Sequence, residues 1–137
     1  SKPDPAVYTM DPSATAHEAV RLMADKNLGA LVVVEHGAVV GIVSERDYVR
    51  KLALMARSPR DTRVGEIMSS PVMYVHPHQT SDECMALMTE YRLRHLPVMD
   101  DGRLIGLISI GDLVKATLAE QQFIIEQLEH YISGQRD

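Results

Sequence analysis

Read as a pattern of apolar and polar positions, the chain alternates short β-branched runs with helical periods, and it does so twice. Residues 30–35 (Ala-Leu-Val-Val-Val-Glu) and 96–99 (Leu-Pro-Val-Met) are apolar runs suited to buried strands. His36-Gly37 and Asp101-Gly102 follow as tight turns, and residues 39–44 and 104–109 return as second strands. Ahead of these hairpins, Ala19, Val20, Leu22 and Met23 recur on a helical period, as do Met85, Leu87 and Met88. Thr15-Ala16-His17-Glu18 and Thr80-Ser81-Asp82-Glu83 open those helices as capping boxes, each Thr accepting a backbone N–H and each Glu reaching back. Second helices begin near Arg46 and Gly111. With residues 7–10 or 73–75 as a leading strand, each unit reads β-α-β-β-α.

Residues 7–50 lie over residues 72–115 without a gap, at a constant offset of 65. Identical pairs include Pro12/Pro77, Thr15/Thr80, Glu18/Glu83, Leu28/Leu93, Leu31/Leu96 and Gly37/Gly102. Such a repeat predicts an α+β fold of two β-α-β-β-α units related by a pseudo-two-fold axis. The expected organisation is unit 1 over residues 1–57, a polar linker over 58–63, unit 2 over 64–116 and a C-terminal helix over 117–137. The stretch Val64-Gly65-Glu66-Ile67-Met68-Ser69-Ser70-Pro71 precedes repeat 2, and most of its counterpart would fall before residue 1. The expectation is therefore that the natural chain begins upstream and that Ser1-Lys2 is not a natural start. Residues 113–132 read as one long helix on which Leu118, Gln121, Ile125, Leu128 and Ile132 step by three and four. This stripe packs either on the chain's own body or on a partner helix. A partner is the preferred expectation, because repeat 1 has no equivalent extension.

The stretch on which the repeat turns is Gly41-Ile42-Val43-Ser44-Glu45-Arg46-Asp47, which recurs as Gly106-Leu107-Ile108-Ser109-Ile110-Gly111-Asp112. Each copy is the end of a strand running into a helix, with Ser at the N-cap and Asp in the first turn. For one copy, capping explains both residues. Two copies in register favour a ligand, since hydroxyl and N–H groups donate to phosphate while a carboxylate accepts from a ribose diol.

Composition narrows the rest. A net charge of −5 with no basic block argues against nonspecific nucleic-acid binding, and the absence of Trp with one Phe argues against base-stacking platforms. The single cysteine, Cys84, excludes an internal disulfide, fits a reducing compartment (the cytoplasm is expected) and falls on a core-facing helical position. No apolar run reaches transmembrane length. His76-Pro77-His78 lacks further ligands at metal spacing and reads as an exposed loop, so no metal is expected. Ser44, His95 and Asp47 have no nucleophile elbow, and no phosphate-binding glycine loop occurs; both points argue against catalysis.

The duplicated G-h-h-S-x-x-D stretch, the cap after Pro-x-x, and Arg94-His95-Leu96-Pro97-Val98 resemble the cystathionine-β-synthase (CBS) domain family, whose members occur as tandem pairs called Bateman modules. The resemblance covers residues 7 to about 115, and the run from Gly41 to Lys51 is similar to stand-alone bacterial CBS-pair proteins. It implies clefts between the two units that take AMP, ADP, ATP, NAD or S-adenosylmethionine. Asp47 and Asp112 would hold ribose hydroxyls, and Ser44 and Ser109 would face phosphate. Arg46 would reach phosphate in one cleft, where repeat 2 has Gly111. Arg94 and His95 would do so in the other, where repeat 1 has Gly29 and Ala30. The adenine would meet Met68, Met73 and Leu93 in the Asp47 cleft, and Tyr8 and Leu28 in the Asp112 cleft. Two functions follow: a sensor that binds adenine nucleotides and signals to an unidentified protein partner through the geometry of a homodimer, or a dimerisation module whose clefts are vestigial.

Overall fold

The computed structural model describes Pro3, residues 6–70 and residues 72–136. Ser1, Lys2, Pro71 and Asp137, which the sequence places in the first unit, the prelude to repeat 2 and the tail, lie outside the described residues. In chain order the elements are β1 (Thr9–Met10), α1 (Ala16–Lys26), β2 (Ala30–Glu35), β3 (Ala38–Ser44) and α2 (Glu45–Tyr48), which continues as a π-helical turn over Val49–Ala53. Then come α3 (Val64–Ile67), α4 (Ser81–Tyr91), β4 (His95–Asp100), β5 (Arg103–Ser109) and α5 (Ile110–Arg136). The fold is α+β with a long C-terminal helix, as the periodicity predicts.

Two compact units result, and they cut across the repeats: Ser1–Pro77 with Pro97–Leu107, and His78–Leu96 with Ile108–Asp137. In the first, the sheet order is β1-β2-β3, with β1 parallel and β3 antiparallel to β2. As the middle strand, β2 is covered on both faces, which is why Ala30, Leu31, Val32 and Val33 are apolar without alternation. On β3 the burial alternates towards Ser44, with Gly41 and Val43 inward. A bulge falls between Val33 and Val34. His36 (φ 52°) and Gly37 (φ 81°) turn the hairpin in left-handed backbone, as do Asp101 (φ 52°) and Gly102 (φ 76°), the pattern a two-residue hairpin loop demands.

Ala16, Ala19 and Met23 of α1 pack with Leu31, Val33, Val43, Leu52, Val64 and Ile67 into one core. Burying side chains the size of Met23, Leu31, Leu52 or Ile67 stabilises the fold by roughly 1.5–3 kcal/mol each. Val64 and Ile67 come from the prelude to repeat 2, so that segment completes the first repeat's core. It is held by backbone. Val64 N donates to Ala14 O and Gly65 N to Pro12 O, while Ser69 N and Ile42 N exchange bonds with Ile42 O and Ser69 O at 2.8 and 3.1 Å.

The same segment changes how α1 begins. Thr15 Oγ1 accepts from Glu18 N at 3.1 Å, but the expected return bond from the Glu18 carboxylate is not formed. Instead Ala16 N and His17 N, two of the N–H groups a helix start leaves without partners, donate to Thr62 O and Pro59 O. Among the described residues Thr62 is the buried polar side chain, and its hydroxyl donates to Ser58 O at 2.7 Å. At α4 no such linker intervenes, and Thr80 and Glu83 close the complete box.

In the second unit α4 packs on α5, with Cys84, Met88, Leu96 and Leu113 buried. Burial, followed by the nearby charge of Glu83, holds the Cys84 thiol above its ordinary pKa. In α5 the burial ends near Leu113 and Thr117, and residues 118–133 are exposed on every face. The two-stranded sheet β4-β5 carries the second hairpin, and Val75 pairs in parallel with Val98 beside it.

Gly41 and Gly106 occupy the same place in the repeat but meet different neighbours. A Cβ on Gly41 would stand 2.5 Å from Met68 Sδ and 3.1 Å from Ser69 O, whereas on Gly106 it would meet only Val98, at 3.8 Å. Gly41→Ala should therefore lower the unfolding free energy by about 1–3 kcal/mol, and Gly106→Ala by less than about 0.5 kcal/mol. Urea denaturation of the two variants checks this; equal effects would mean that the segment crossing Gly41 yields without cost.

Candidate functional site

At the end of β3, Ser44 and Asp47 form a reciprocal cap. Asp47 N donates to Ser44 Oγ at 3.1 Å, while Asp47 Oδ2 accepts from Ser44 N at 2.9 Å and from Ser44 Oγ at 3.1 Å. The second copy repeats the geometry. Ser109 N donates to Asp112 Oδ2 at 2.8 Å, and Asp112 N donates to Ser109 Oγ at 3.1 Å. A negative side chain in a helix's first turn is favourable by itself, so both carboxylates have a structural use before any ligand arrives.

A second feature recurs at the same offset. Glu45 N donates to Gly29 O at 3.0 Å, and Ile110 N donates to Arg94 O at 2.9 Å. Each bond ties the start of the middle strand to the start of the following helix within one repeat. Leu28, Gly29 and Ala30 therefore lie alongside Ser44–Asp47, with Leu28 half-buried against the core and Ala30 paired to Ser44. Arg94 and His95 likewise lie alongside Ser109–Asp112.

The remaining expected site residues fall as follows. Met68 is half-buried with its sulfur over Gly41, two residues along β3 from Val43. Arg46 is exposed, whereas Met73 and Leu93 are half-buried. Leu93 N donates to Met88 O at 2.9 Å, closing α4 behind the left-handed Arg92. Tyr8 is exposed, and the Lys26 ammonium lies 5.5 Å from its ring centroid, a cation–π contact.

The two copies differ in one residue that the motif comparison passes over. Lys51 Nζ lies 3.2 Å from Asp47 Oδ1 and donates to Ile67 O at 2.8 Å. Its place four residues after Asp47 on a continuous helical segment is the signal that would have found it. The corresponding position in repeat 2 is Ala116, and among the described residues no cation pairs with Asp112. The carboxylates also differ in access: the Asp47 side chain is 13% exposed, while Asp112 is open to solvent.

A cavity of about 780 Å³ sits at the opposite end of β3 from Ser44, lined by residues including His36, Val39, Val40, Tyr74, His76 and Met99. There His76 Nδ1 lies 3.2 Å from Met99 O, and its ring meets Tyr74 edge-on at 5.8 Å. None of the expected ligand residues lines it. Among the described residues no helix is long and apolar enough to cross a membrane.

The family model for the CBS domain matches residues 3–54 and 64–119. The CBS domain-containing protein CBSX3, mitochondrial, of Arabidopsis thaliana is 42% identical over 125 residues, covering 88% of this chain and 61% of that protein. The chain thus spans about three fifths of that relative's length. YhcV of Bacillus subtilis is 34% identical over 107 residues, covering 78% of this chain and 76% of its own length. Among solved structures, a CBS-domain protein of Burkholderia ambifaria assigned to signal transduction is 57% identical, with a TM-score of 0.81 and 85% of each chain covered. A hexameric CBS-CP12 protein of bloom-forming cyanobacteria is 36% identical, with a TM-score of 0.74 over 79% of this chain and 64% of that one. Two family matches that together take in most of the sequence, each containing one copy of the Ser/Asp strand–helix junction, show that this chain belongs to the CBS-domain family as a tandem pair.

Proposed function

We propose that the chain is a non-catalytic sensor that binds an adenosine-containing ligand (AMP, ADP, ATP or NAD) at its Ser/Asp junctions and passes occupancy on through the geometry of a homodimer. The observation that carries this reading is the duplication of the whole junction, side-chain cap and backbone tie together, at one offset. Each tie adds one rung to the strand pairing, which in repeat 1 ends with Ala30 and Ser44, so strand and helix start are held in the single geometry that a ligand pocket needs. Asp47 and Asp112 take the ribose hydroxyls, and Ser44 and Ser109 face the phosphate side. Arg46 in repeat 1 and Arg94 with His95 in repeat 2 supply positive charge. Met68 offers apolar surface for the base in the first site, and so does Leu28, which the resemblance assigns to the Asp112 cleft but which lies alongside Ser44–Asp47. Met73, Leu93 and Tyr8 remain candidates for the same role. A reduced, buried Cys84 fits a cytoplasmic setting.

The second reading, a dimerisation module with vestigial clefts, is favoured by one observation: both carboxylates already serve as caps. A calorimetric and thermal-shift panel with AMP, ATP, NAD and S-adenosylmethionine separates the two. Under the sensor reading, a ligand at a hundred times its dissociation constant adds about 2.7 kcal/mol of apparent stability. Asp112→Ala should abolish binding at its own site while costing the fold about 1 kcal/mol or less. A flat panel with the wild type, or Asp112→Ala binding like wild type, defeats the assignment.

The dimer rests on α5. Leu118, Ile124, Ile125, Leu128, Tyr131 and Ile132 are all exposed, and at 3.6 residues per turn they fall, with Gln121, within an arc of about 140°. An arc of that width is the face of a helix packed in a bundle, wider than a two-stranded seam. A second copy covers it symmetrically. Ile125→Asp combined with Leu128→Asp should weaken the dimer on the order of a hundredfold or more. Light scattering and sedimentation measure this. A monomeric wild type at tens of micromolar excludes the dimer, and a fully dimeric double variant excludes α5 from it.

A further inference from the structure

We infer that Lys51 is a specificity-determining residue of the first site: it selects a phosphorylated nucleoside there and links its binding to the segment between the repeats. The inference rests on the nucleotide reading above and adds a residue and a ligand class to it.

Asp47 alone is a poor neighbour for phosphate. A ribose diol that donates to the carboxylate leaves its 5′-phosphate within about 8 Å of the same negative charge, where two like charges repel by about 2 kcal/mol at a surface-like dielectric constant of about 20. Lys51 cancels that charge where it matters, with Nζ 3.2 Å from Oδ1. Oδ2 is meanwhile held by the Ser44 N–H and hydroxyl. An ammonium has three donors. One is directed at Asp47 and one at Ile67 O, and the third meets no acceptor among the described residues, while the Lys51 side chain is 41% exposed. A cation held in place by two partners, with a donor to spare beside a diol-binding carboxylate, is a phosphate contact prepared in advance.

The bond to Ile67 gives the contact a consequence. Ile67 ends α3, where helix carbonyls lack partners, and Lys51 supplies one. The next two residues, Met68 and Ser69, lie across Gly41 and pair with Ile42. A phosphate on the third donor divides the ammonium's charge among three acceptors, which weakens the bond to Ile67 O and loosens the segment leading into repeat 2. Repeat 2 has Ala116 at this position and lacks the device.

The test uses Asp112→Ala as background, so that only the first site is read, and adds Lys51→Met or Lys51→Arg. Calorimetry with AMP and adenosine should show AMP weakened tenfold or more by Lys51→Met, adenosine changed less than about threefold, and Lys51→Arg close to the background for both. Hydrogen exchange at the Met68 and Ser69 amides should speed up in ligand-free Lys51→Met. In the background protein it should speed up when AMP is added. Equal losses for AMP and adenosine, or unchanged exchange in Lys51→Met, overturn the inference while leaving the nucleotide reading in place. Absence of AMP and adenosine binding to wild-type protein overturns that reading and this inference with it.

Discussion

The first repeat depends on one short piece of antiparallel pairing, the double bond exchange between Ile42 and Ser69. It brings the chain back across β3 after the helix has ended, and it explains several features that look unrelated. Gly41 lacks a side chain because Met68 lies against its backbone. Val64 and Ile67 are apolar because they close the core over α1. The helical segment after Ser44 has to stop early so that the chain can return. It does so through a π-helical turn, with Leu54 N bonded to Val49 O, and then left-handed Ala56, after which residues 57–63 make the reversal. π-turns are uncommon and concentrate where a helix has to depart from regular geometry.

Repeat 2 shows what happens when that return is absent. The residues 65 positions further on do not turn back; they continue α5 as one 27-residue helix. Ile124 stands where repeat 1 has Pro59, and no glycine or proline falls between Gly111 in the first turn and Gly134. The apolar residues that would have folded back stay on the outside of a helix instead. The same ancestral unit thus yields a closed core in one copy and an open helical face in the other. The second unit's sparser core (Cys84, Met88, Leu96 and Leu113) is the internal counterpart of that exposed face.

Strand positions were legible from the sequence because they rest on local chemistry. Residues 30–35, both hairpin turns and the Ser/Asp junctions fall where β-branched runs, left-handed turn residues and caps require them. What escaped depends on residues distant in the chain. The Glu18 half of the first capping box looks like its repeat-2 counterpart, but carbonyls of Pro59 and Thr62 serve that helix start instead. The π-turn has no local signature among Val49–Ala53. The ties from Glu45 to Gly29 and from Ile110 to Arg94 are backbone bonds, which leave no trace in side-chain identity. Lys51 does leave a local signal, since an acid and a base four apart on a helix are a known pair, but it is a residue the two repeats do not share.

That difference bears on how a capped carboxylate can also serve a ligand. A cap uses one oxygen of Asp47 and of Asp112, Oδ2 in both cases, and a carboxylate has a second. In repeat 2 that second oxygen belongs to an exposed side chain, so hydration competes with any ligand for it. In repeat 1 it is shielded and already neutralised by Lys51, and desolvating a neutralised pair costs less than desolvating a lone charge. The capping role and the proposed binding role are therefore compatible, but they are balanced differently in the two copies. In the first, the carboxylate is fixed in position before a ligand arrives, and a fixed group loses less entropy on binding than a mobile one. In the second, the cap holds Oδ2 in the same way, but among the described residues Oδ1 lacks a cation and the side chain is open to solvent. The two junctions thus differ in solvent access as well as in charge, which is the asymmetry that a paired module needs if the two proposed sites are to respond to different ligands.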